Sequence, residues 1–243
     1  MSNDFVKWLN DNQGVVSVMT FLCTLFAAWA SGLFSALRRR PRLRIDLLEG
    51  PTLCSTYPTG KKHNGFDAHR TGISLYLRIS NIGSAATSID NIKLGYHWHA
   101  RPLTWIWFRY RLFWFWLHQP AMAIEDFQVK IGDNIKFYPF LLQRSSISGK
   151  SNNTYLRVGQ SISGVIYFEQ PESWGGCFPS PRNGKAKIRI AIFDTFGKNH
   201  EKSYWIPIVT FEQAKKYNPS FGITLPTLHD ESTSPDTPAD LSP

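Results

Sequence analysis

The sequence predicts a mainly β protein, in which an N-terminal transmembrane helix precedes an antiparallel β-sandwich. Three observations support this prediction: a long uncharged apolar stretch, several later segments in which apolar and polar residues alternate, and almost no helical periodicity after the apolar stretch. The length of 243 residues suits one domain with appendages. The hydrophobic share of 42% excludes a largely disordered chain, and three cysteines exclude a disulfide-stapled miniprotein.

The apolar stretch comprises residues 15–37, which are 23 residues without a charge. A helix of that length, at ~1.5 Å per residue, covers ~34 Å and exceeds the ~30 Å hydrocarbon core of a bilayer. Ser and Thr interrupt the stretch, and both hydroxyls can hydrogen-bond back to helix carbonyls. We therefore predict a single transmembrane helix.

Five arginines follow this stretch and set its expected orientation: Arg38, Arg39, Arg40, Arg42 and Arg44. Arginines close to a membrane end resist translocation and meet anionic lipid headgroups. The prediction is a single-pass protein of the cell (inner) membrane whose C-terminal domain is cytoplasmic. The alternative is a signal peptide cleaved near Ala28-Trp29-Ala30, although the apolar run continues past that point into the arginines.

Small side chains recur every four residues along the stretch, at Thr20, Thr24, Ala28, Gly32 and Ala36. Such a stripe lets two helices approach closely. We expect helix self-association through Thr24, Ala28, Gly32 and Ala36, against the alternative that common membrane residues coincide by chance.

Most of the remaining chain has the period-2 pattern of half-buried strands. The clearest examples are Ile73-Leu75-Leu77-Ile79, Ile92-Leu94-Tyr96-Trp98, Ile162-Ile166-Phe168 and Ile188-Ile190-Ile192. Further strands are expected in residues 42–48, in one or two pieces of residues 127–137, and in residues 203–211, where Pro207 suits an edge strand.

The segments LYLRISNIG, IDNIKL and VGQSISGVIYFE resemble bacterial immunoglobulin-like domains, which often hang from a membrane anchor. The resemblance covers about half of residues 42–211 and implies an immunoglobulin-like fold without implying a function. The Cys-Trp-Cys spacing of antibody domains is absent from the sequence.

An aromatic insertion, residues 101–120, is the most unusual feature of the sequence. Its candidate membrane-interface residues are Trp105, Trp107, Arg109, Arg111, Trp114 and Trp116. Trp favours the headgroup boundary, where arginine can meet phosphates. The preferred interpretation is an interfacial or re-entrant loop. The alternatives are an insertion packed on the sandwich and a second membrane crossing, which would separate the strands on its two sides.

Candidate chemistry is sparse. The sequence contains no G-x-G-x-x-G, G-x-x-x-x-G-K-[ST], H-E-x-x-H or G-x-S-x-G motif. His97 and His99 share a strand face, and His63 and His69 could join them, but no carboxylate or cysteine partner is evident. We expect no metal, no cofactor and no catalytic residue.

Cys177 lies in a glycine-flanked loop, where a structural thiol is favoured over a nucleophile. Cys54 and Cys177 could pair only if the domain were exported. Because the main basic cluster lies against the membrane, nucleic-acid binding is not expected.

The predicted organisation consists of a short segment 1–14, the transmembrane helix 15–37, a basic linker 38–44, the β-sandwich 45–211, a short helix or extension 212–225, and a disordered acidic tail 226–243. The leading functional hypothesis is a membrane-anchored binding or scaffolding module whose partners are lipid and a protein or a second copy. The alternatives are a sensor or effector subunit of a stress or defence system, and an enzyme with an unrecognised site.

Overall fold

The computed structural model describes residues 7–8, 10–32, 39–63, 65–99, 104–105, 108–109, 113–142 and 154–224. The elements in chain order are α1 (Gln13–Ala30), β1 (Leu43–Leu47), β2 (Leu53–His63), β3 (Phe66–Asn81), β4 (Thr87–Tyr96), β5 (Phe115–Leu117), β6 (Phe127–Ile131), β7 (Asn134–Tyr138), β8 (Tyr155–Leu156), β9 (Ser161–Trp174), β10 (Pro181–Arg182), β11 (Lys185–Asp194), β12 (Asn199–Pro207) and α2 (Phe211–Lys215). The chain is therefore mainly β, and its named strand pairs are antiparallel.

Helix α1 has 18 residues, none of them buried, and is long and apolar enough to cross a membrane. A signal sequence near an N-terminus has the same length and apolar character. The helix ends at Ala30, seven residues before the predicted end at Leu37. The physical reason is Gly32, whose φ of 78° lies in the left-handed region that terminates helices. Residues 33–38 lie outside the described part of the chain.

The first sheet has four strands, with β3 at its centre. The C-terminal half of β3 pairs with β1 and its N-terminal half pairs with β2, while β9 runs along the other edge of β3. Strands β1 and β2 therefore lie one after the other along the same edge of β3, with residues 48–52 between them. The sequence analysis predicted the strand β1, within residues 42–48, but it did not predict the long strand β2.

The second sheet has six strands. Strand β11 pairs with β12 on one edge and with β4 and β10 on the other, and β4 continues to β5 and β8. Among the described strands β12 pairs with β11 alone, so Pro207 lies on an edge strand as predicted.

The two sheets share one hydrophobic core. The alternating residues Ile73, Leu75, Leu77 and Ile79 of β3 pack there with Ile92 and Leu94 of β4 and with Ile188, Ile190 and Ile192 of β11. All nine are fully buried, which confirms the period-2 prediction for these three strands.

A second hydrophobic cluster covers the outer face of the first sheet. Leu53, Tyr57, Val165 and Tyr167 of that face are covered by Phe127, Tyr138 and Phe140 and by Ala214 and Phe221 near the C-terminus. The extension after residue 211 is thus part of the packed structure: Thr210 caps α2 through a capping box, and Phe221 is 1% exposed.

Two ends of the sheets can be defined. The proximal end is the one at which the chain enters from α1; there β1 and β4 begin and β3 ends. The distal end is the opposite one, where β4 ends and β11 begins.

Candidate binding surface

The outer face of the second sheet carries cations. Along β11 the even-numbered residues from Ala186 to Ile192 are buried in the core, so Lys185, Lys187 and Arg189 lie on the opposite face. This alternation follows directly from the strand sequence KAKIRIAI.

The C-terminal part of the aromatic insertion joins this face as strand β5. Gly95 of β4 pairs with Trp116, and its neighbour Leu94 pairs with Leu117. Leu117 is buried in the core, so Trp116 and Trp114 lie on the outer side. A side chain at position 95 would stand 3.1 Å from the Trp116 ring, so glycine there leaves space for the indole.

Trp114 is the centre of the aromatic-cationic surface, which we define as His97, Trp114, Trp116, Arg182, Lys187, Arg189 and Trp205. The Arg189 guanidinium lies 4.4 Å and the Lys187 ammonium 6.0 Å from the centroid of the Trp114 ring. The His97 ring lies 4.1 Å from the same ring. Cations at these distances are attracted to the negative face of an indole.

A groove of about 350 Å³ opens beside these residues. Its lining consists of His97, Ser180, Pro181, Arg182, Lys187 and Trp205. Arg182 lies 6.0 Å from the Trp205 ring centroid, and Trp205 is 44% exposed. Glu201 pairs with Arg189 at 3.4 Å and offsets part of the positive charge. The arrangement suits an acidic ligand with apolar or planar parts.

The predicted membrane-interface residues fall into two groups. Trp105 is 77% exposed, whereas Trp116 of β5 and Trp114, which directly precedes β5, are half-buried. Arg109 is exposed, and Trp107 and Arg111 lie outside the described residues. The insertion leaves β4 at the distal end, ~30 Å along a ten-residue strand from the proximal end. Bilayer contact by the insertion stays a prediction.

The predicted lipid-headgroup arginines lie at the proximal end. Arg39, Arg40 and Arg42 are exposed, and Arg38 lies outside the described residues. Arg44 forms an ion pair with Asp46 at 3.0 Å. The linker is tied to the fold, because the carbonyls of Arg40 and Arg42 accept hydrogen bonds from residues of the turn after β3.

Only part of the predicted helix seam lies on α1. Thr24 and Ala28 are helical, and the hydroxyl of Thr24 donates to the Phe21 carbonyl at 2.7 Å. Gly32 lies beyond the helix end, and Ala36 lies outside the described residues. Self-association of the helix through Thr24, Ala28, Gly32 and Ala36 stays a prediction.

The four histidines considered as metal ligands have aromatic neighbours. His63 stacks on Trp174 at 4.0 Å, and His69 and His99 both approach Phe178. Within the described residues, no group of three or more His, Cys, Asp or Glu side chains is arranged to hold a metal ion.

The two domain cysteines are free thiols. Burial raises the pKa of the Cys54 thiol to about 12 and also raises the pKa of the Cys177 thiol. Both shifts disfavour the thiolate, which is the nucleophilic form.

A second polar cluster lies on the outer side of the first sheet. The Tyr57 hydroxyl donates to the Glu169 carboxylate at 2.6 Å, and burial raises the pKa of Glu169. A groove of about 370 Å³ beside it includes Arg70, Glu172 and Thr224 in its lining. These contacts join β2, β9 and residue 224, so they fasten the C-terminal segment to the sheet.

Sequence reasoning missed Arg182, Lys187, Arg189 and Trp205, and it also missed the Tyr57–Glu169 pair. The cations had a readable signal, since Lys185, Lys187 and Arg189 alternate with core residues. The other members had no local signal, because distant parts of the chain bring them together.

Comparisons with known proteins add little to this geometry. No protein family matches the sequence, and no curated protein matches it. One matching solved structure is a crystal structure provisionally assigned as the ApaA protein from Bordetella pertussis. It has 8% sequence identity and a TM-score of 0.26, and the alignment covers 70% of this chain and 96% of that chain. A likeness at that level carries no argument.

Proposed function

We propose that this protein is a membrane-anchored binding module whose aromatic-cationic surface binds an acidic protein partner on the cytoplasmic side of the cell membrane. Helix α1 is the anchor, and the β domain presents the surface. The observation that carries the proposal is the Trp114 ring with Arg189 at 4.4 Å, Lys187 at 6.0 Å and His97 at 4.1 Å.

The composition of this surface supports a protein partner. Trp and Arg are enriched where proteins bind each other, because they combine a large apolar area with directional polar groups. The surface also belongs to the distal part of the domain, away from the point at which the chain enters from α1. A ligand held there is accessible from the cytoplasm when the domain stands on its proximal end.

We also propose that the domain is immunoglobulin-like. Support comes from the pairing order of the strands. In the first sheet, β1 together with β2 corresponds to strand A, β3 to strand B and β9 to strand E. In the second sheet, β4, β11 and β12 correspond to strands C, F and G. An experimental structure in which β4 lay beside β3 in one sheet would contradict this assignment.

Photocrosslinking in intact cells tests the binding function. A benzophenone amino acid replaces Trp205, which is exposed at the groove, or Phe137, which is 60% exposed on the β6–β7 hairpin. The expected result is a discrete protein adduct from position 205 that resists nuclease and is absent from position 137.

Charge reversal supplies the matched control. Lys187→Glu with Arg189→Glu should remove the adduct at position 205, whereas Lys130→Glu with Lys136→Glu on the β6–β7 hairpin should leave it. An adduct that survives reversal at positions 187 and 189, or one that consists of lipid or nucleic acid, would contradict the proposal.

Protease accessibility tests the orientation separately. Protease added outside intact spheroplasts should leave the β domain undigested, because the arginine flank keeps it in the cytoplasm. Digestion from outside would reverse the topology, and loss of residues 1–30 from the mature protein would favour the signal-peptide alternative.

A further inference from the structure

The loops of the proximal end are joined around one buried side chain. The Asn81 side-chain amide donates to the carbonyls of Ala85 and Leu156, and its side-chain oxygen accepts from the Gly83 N–H. The Asn81 carbonyl also accepts from the Gly159 N–H at 2.8 Å. The turn after β3 and the loop before β9 are thus held side by side.

The β11–β12 turn is fixed to the same end. One Asp194 carboxylate oxygen accepts from the N–H groups of Phe196 and Lys198 at 3.0 and 2.9 Å. The other accepts from His200 Nε2 at 2.9 Å, because His200 Nδ1 already accepts from the Leu43 N–H at the start of β1. The turn tip is therefore held in a defined position next to the entry of the chain.

Each of these loops exposes an apolar side chain. Ile82 is 52% exposed, Val158 is 55% exposed and Phe196 is 68% exposed. Tyr155, which is 44% exposed, lies beside them on β8. Three separate loops therefore expose apolar side chains at the same end of the domain, and a concentration of exposed apolar residues marks interaction sites.

The charged residues in four segments at this end of the domain have one sign. The segments 39–42, 82–88, 154–160 and 195–198 contain no Asp or Glu. Their basic residues, all exposed, are Arg39, Arg40, Arg42, Arg157 and Lys198. A surface of this kind attracts anionic lipid, with each basic residue adding to the attraction.

Chain length keeps this end close to α1. The helix ends at Ala30, and the Arg40 carbonyl is already hydrogen-bonded to the Ser84 N–H at 3.0 Å. Ten residues of chain reach at most ~35 Å. The end with the apolar tips is therefore the part of the domain that the anchor brings nearest to a bilayer.

We infer that the proximal end docks on an anionic bilayer, with Ile82, Val158 and Phe196 at headgroup depth and the surrounding arginines on lipid phosphates. The inference rests on the proposed function in one respect only, which is that α1 crosses the membrane. It concerns a surface at the other end of the domain from the aromatic-cationic surface.

Amide hydrogen exchange on the full chain in lipid nanodiscs tests this docking. Discs of phosphatidylcholine are compared with discs that contain one third phosphatidylglycerol. In the anionic discs, exchange in residues 82–85, 157–159 and 195–198 should slow at least threefold, while the distal β2–β3 hairpin should exchange at the same rate in both.

Two double variants, each with two exposed apolar residues changed to serine, complete the design. Val158→Ser with Phe196→Ser should abolish the slowing in all three loops, whereas Ile131→Ser with Phe66→Ser, which also removes two exposed apolar residues, should preserve it. Equal exchange in both kinds of disc, or slowing that survives the proximal substitutions, would overturn the docking and leave the anchor intact. A chain that does not enter discs at all would overturn the anchor, and the docking with it.

Discussion

The outer faces of the two sheets differ in how much of each is covered by other parts of the chain. On the first sheet, Leu53, Tyr57, Val165 and Tyr167 face outward and are covered by the β6–β7 hairpin and the C-terminal segment. On the second sheet, the outward residues include Lys187, Arg189 and Trp205, which are at least partly exposed.

The difference follows from the side chains that alternate with the core. Strand β9 reads Val165-Ile166-Tyr167-Phe168, so it needs cover on both faces. Strand β11 alternates Ile with Lys and Arg, whose charged groups would be costly to bury. The outer face of the first sheet is therefore covered, and the outer face of the second sheet remains accessible to solvent.

The largest expected effect is on the covered face. Phe221 is 1% exposed and contacts the rings of Tyr57 and Tyr167 at 6.3 and 5.3 Å. Phe221→Ala should lower the free energy of unfolding by about 3–5 kcal/mol, because it removes a buried ring and leaves a cavity. Chemical denaturation of the full chain in detergent measures this loss of stability.

Phe137→Ala is the control. Because the Phe137 side chain is 60% exposed, this substitution should change stability by less than about 0.5 kcal/mol. Equal effects would contradict the distinction between covered and open positions.

A pair of glycines compares the two faces directly. A methyl group at Gly72 would lie 2.7 Å from both the Phe221 ring and the Tyr167 hydroxyl, within the covered face. Gly72→Ala should cost about 1–3 kcal/mol through overpacking. On the open face, the atoms nearest to a methyl group at Gly95 belong to the Trp116 ring, at 3.1 Å, and that ring can shift toward solvent, so the cost of Gly95→Ala should be smaller. If denaturation showed a larger loss of stability for Gly95→Ala than for Gly72→Ala, β5 would be packed at least as tightly as the C-terminal segment.

The covered face should also show a pH dependence. Burial raises the folded-state pKa of Glu169 above its ordinary value near 4.5. Stability linked to this group is complete below that value and is lost as the pH rises through the folded-state pKa. Glu169→Gln should therefore gain stability relative to the wild type between pH 4 and pH 8 while it keeps an acceptor for Tyr57.

Glu172→Gln is the control of opposite sign. A hydrogen bond from Thr59 lowers the pKa of Glu172, so its contribution is present above the ordinary pKa and is lost as the pH falls. The Gln variant should lose stability relative to the wild type at pH 8 and approach it at low pH. Denaturation at pH 4 and pH 8 measures how the stability difference between each variant and the wild type changes with pH. If that difference changed in the same direction for both variants, the burial assigned to Glu169 would be wrong.

The smallest expected effect is on the open face. A double-mutant cycle between Trp114→Leu and Arg189→Met should give a coupling free energy of about 0.5–1 kcal/mol, as for a partly exposed cation–π pair. The cycle from Trp114→Leu and Arg78→Met, with Arg78 on the other sheet, should give no coupling. A coupling above about 2 kcal/mol would indicate that this face is as buried as the covered one.

Much of the fold followed from local patterns. The isoleucines and leucines of β3, β4 and β11 alternate with polar residues, and period-2 alternation identifies a strand and its buried face without knowledge of its partners. A short helix was likewise predicted from local sequence, as one of two possibilities for residues 212–225, and α2 occupies the start of that segment. Hydropathy alone did not reveal the left-handed backbone at Gly32, which follows the last residue of α1, Ala30.

The candidate surface depended on long-range pairing. Trp114 and Arg189 are 75 positions apart in sequence, and they meet because β5 pairs with β4 and β4 pairs with β11 in a fixed register. Nothing within residues 103–117 distinguishes a free loop from an edge strand, since the apolar residues there do not alternate.

By itself the sequence determined the apolar helix, the antiparallel strands and their buried faces, because each depends on interactions within a few residues of chain. The tertiary structure alone decided which outer face is covered, which tryptophans lie against arginine, and that the insertion and the arginine linker lie at opposite ends of the sheets. These properties depend on strand order and register, which are set by the packing of segments far apart in the chain.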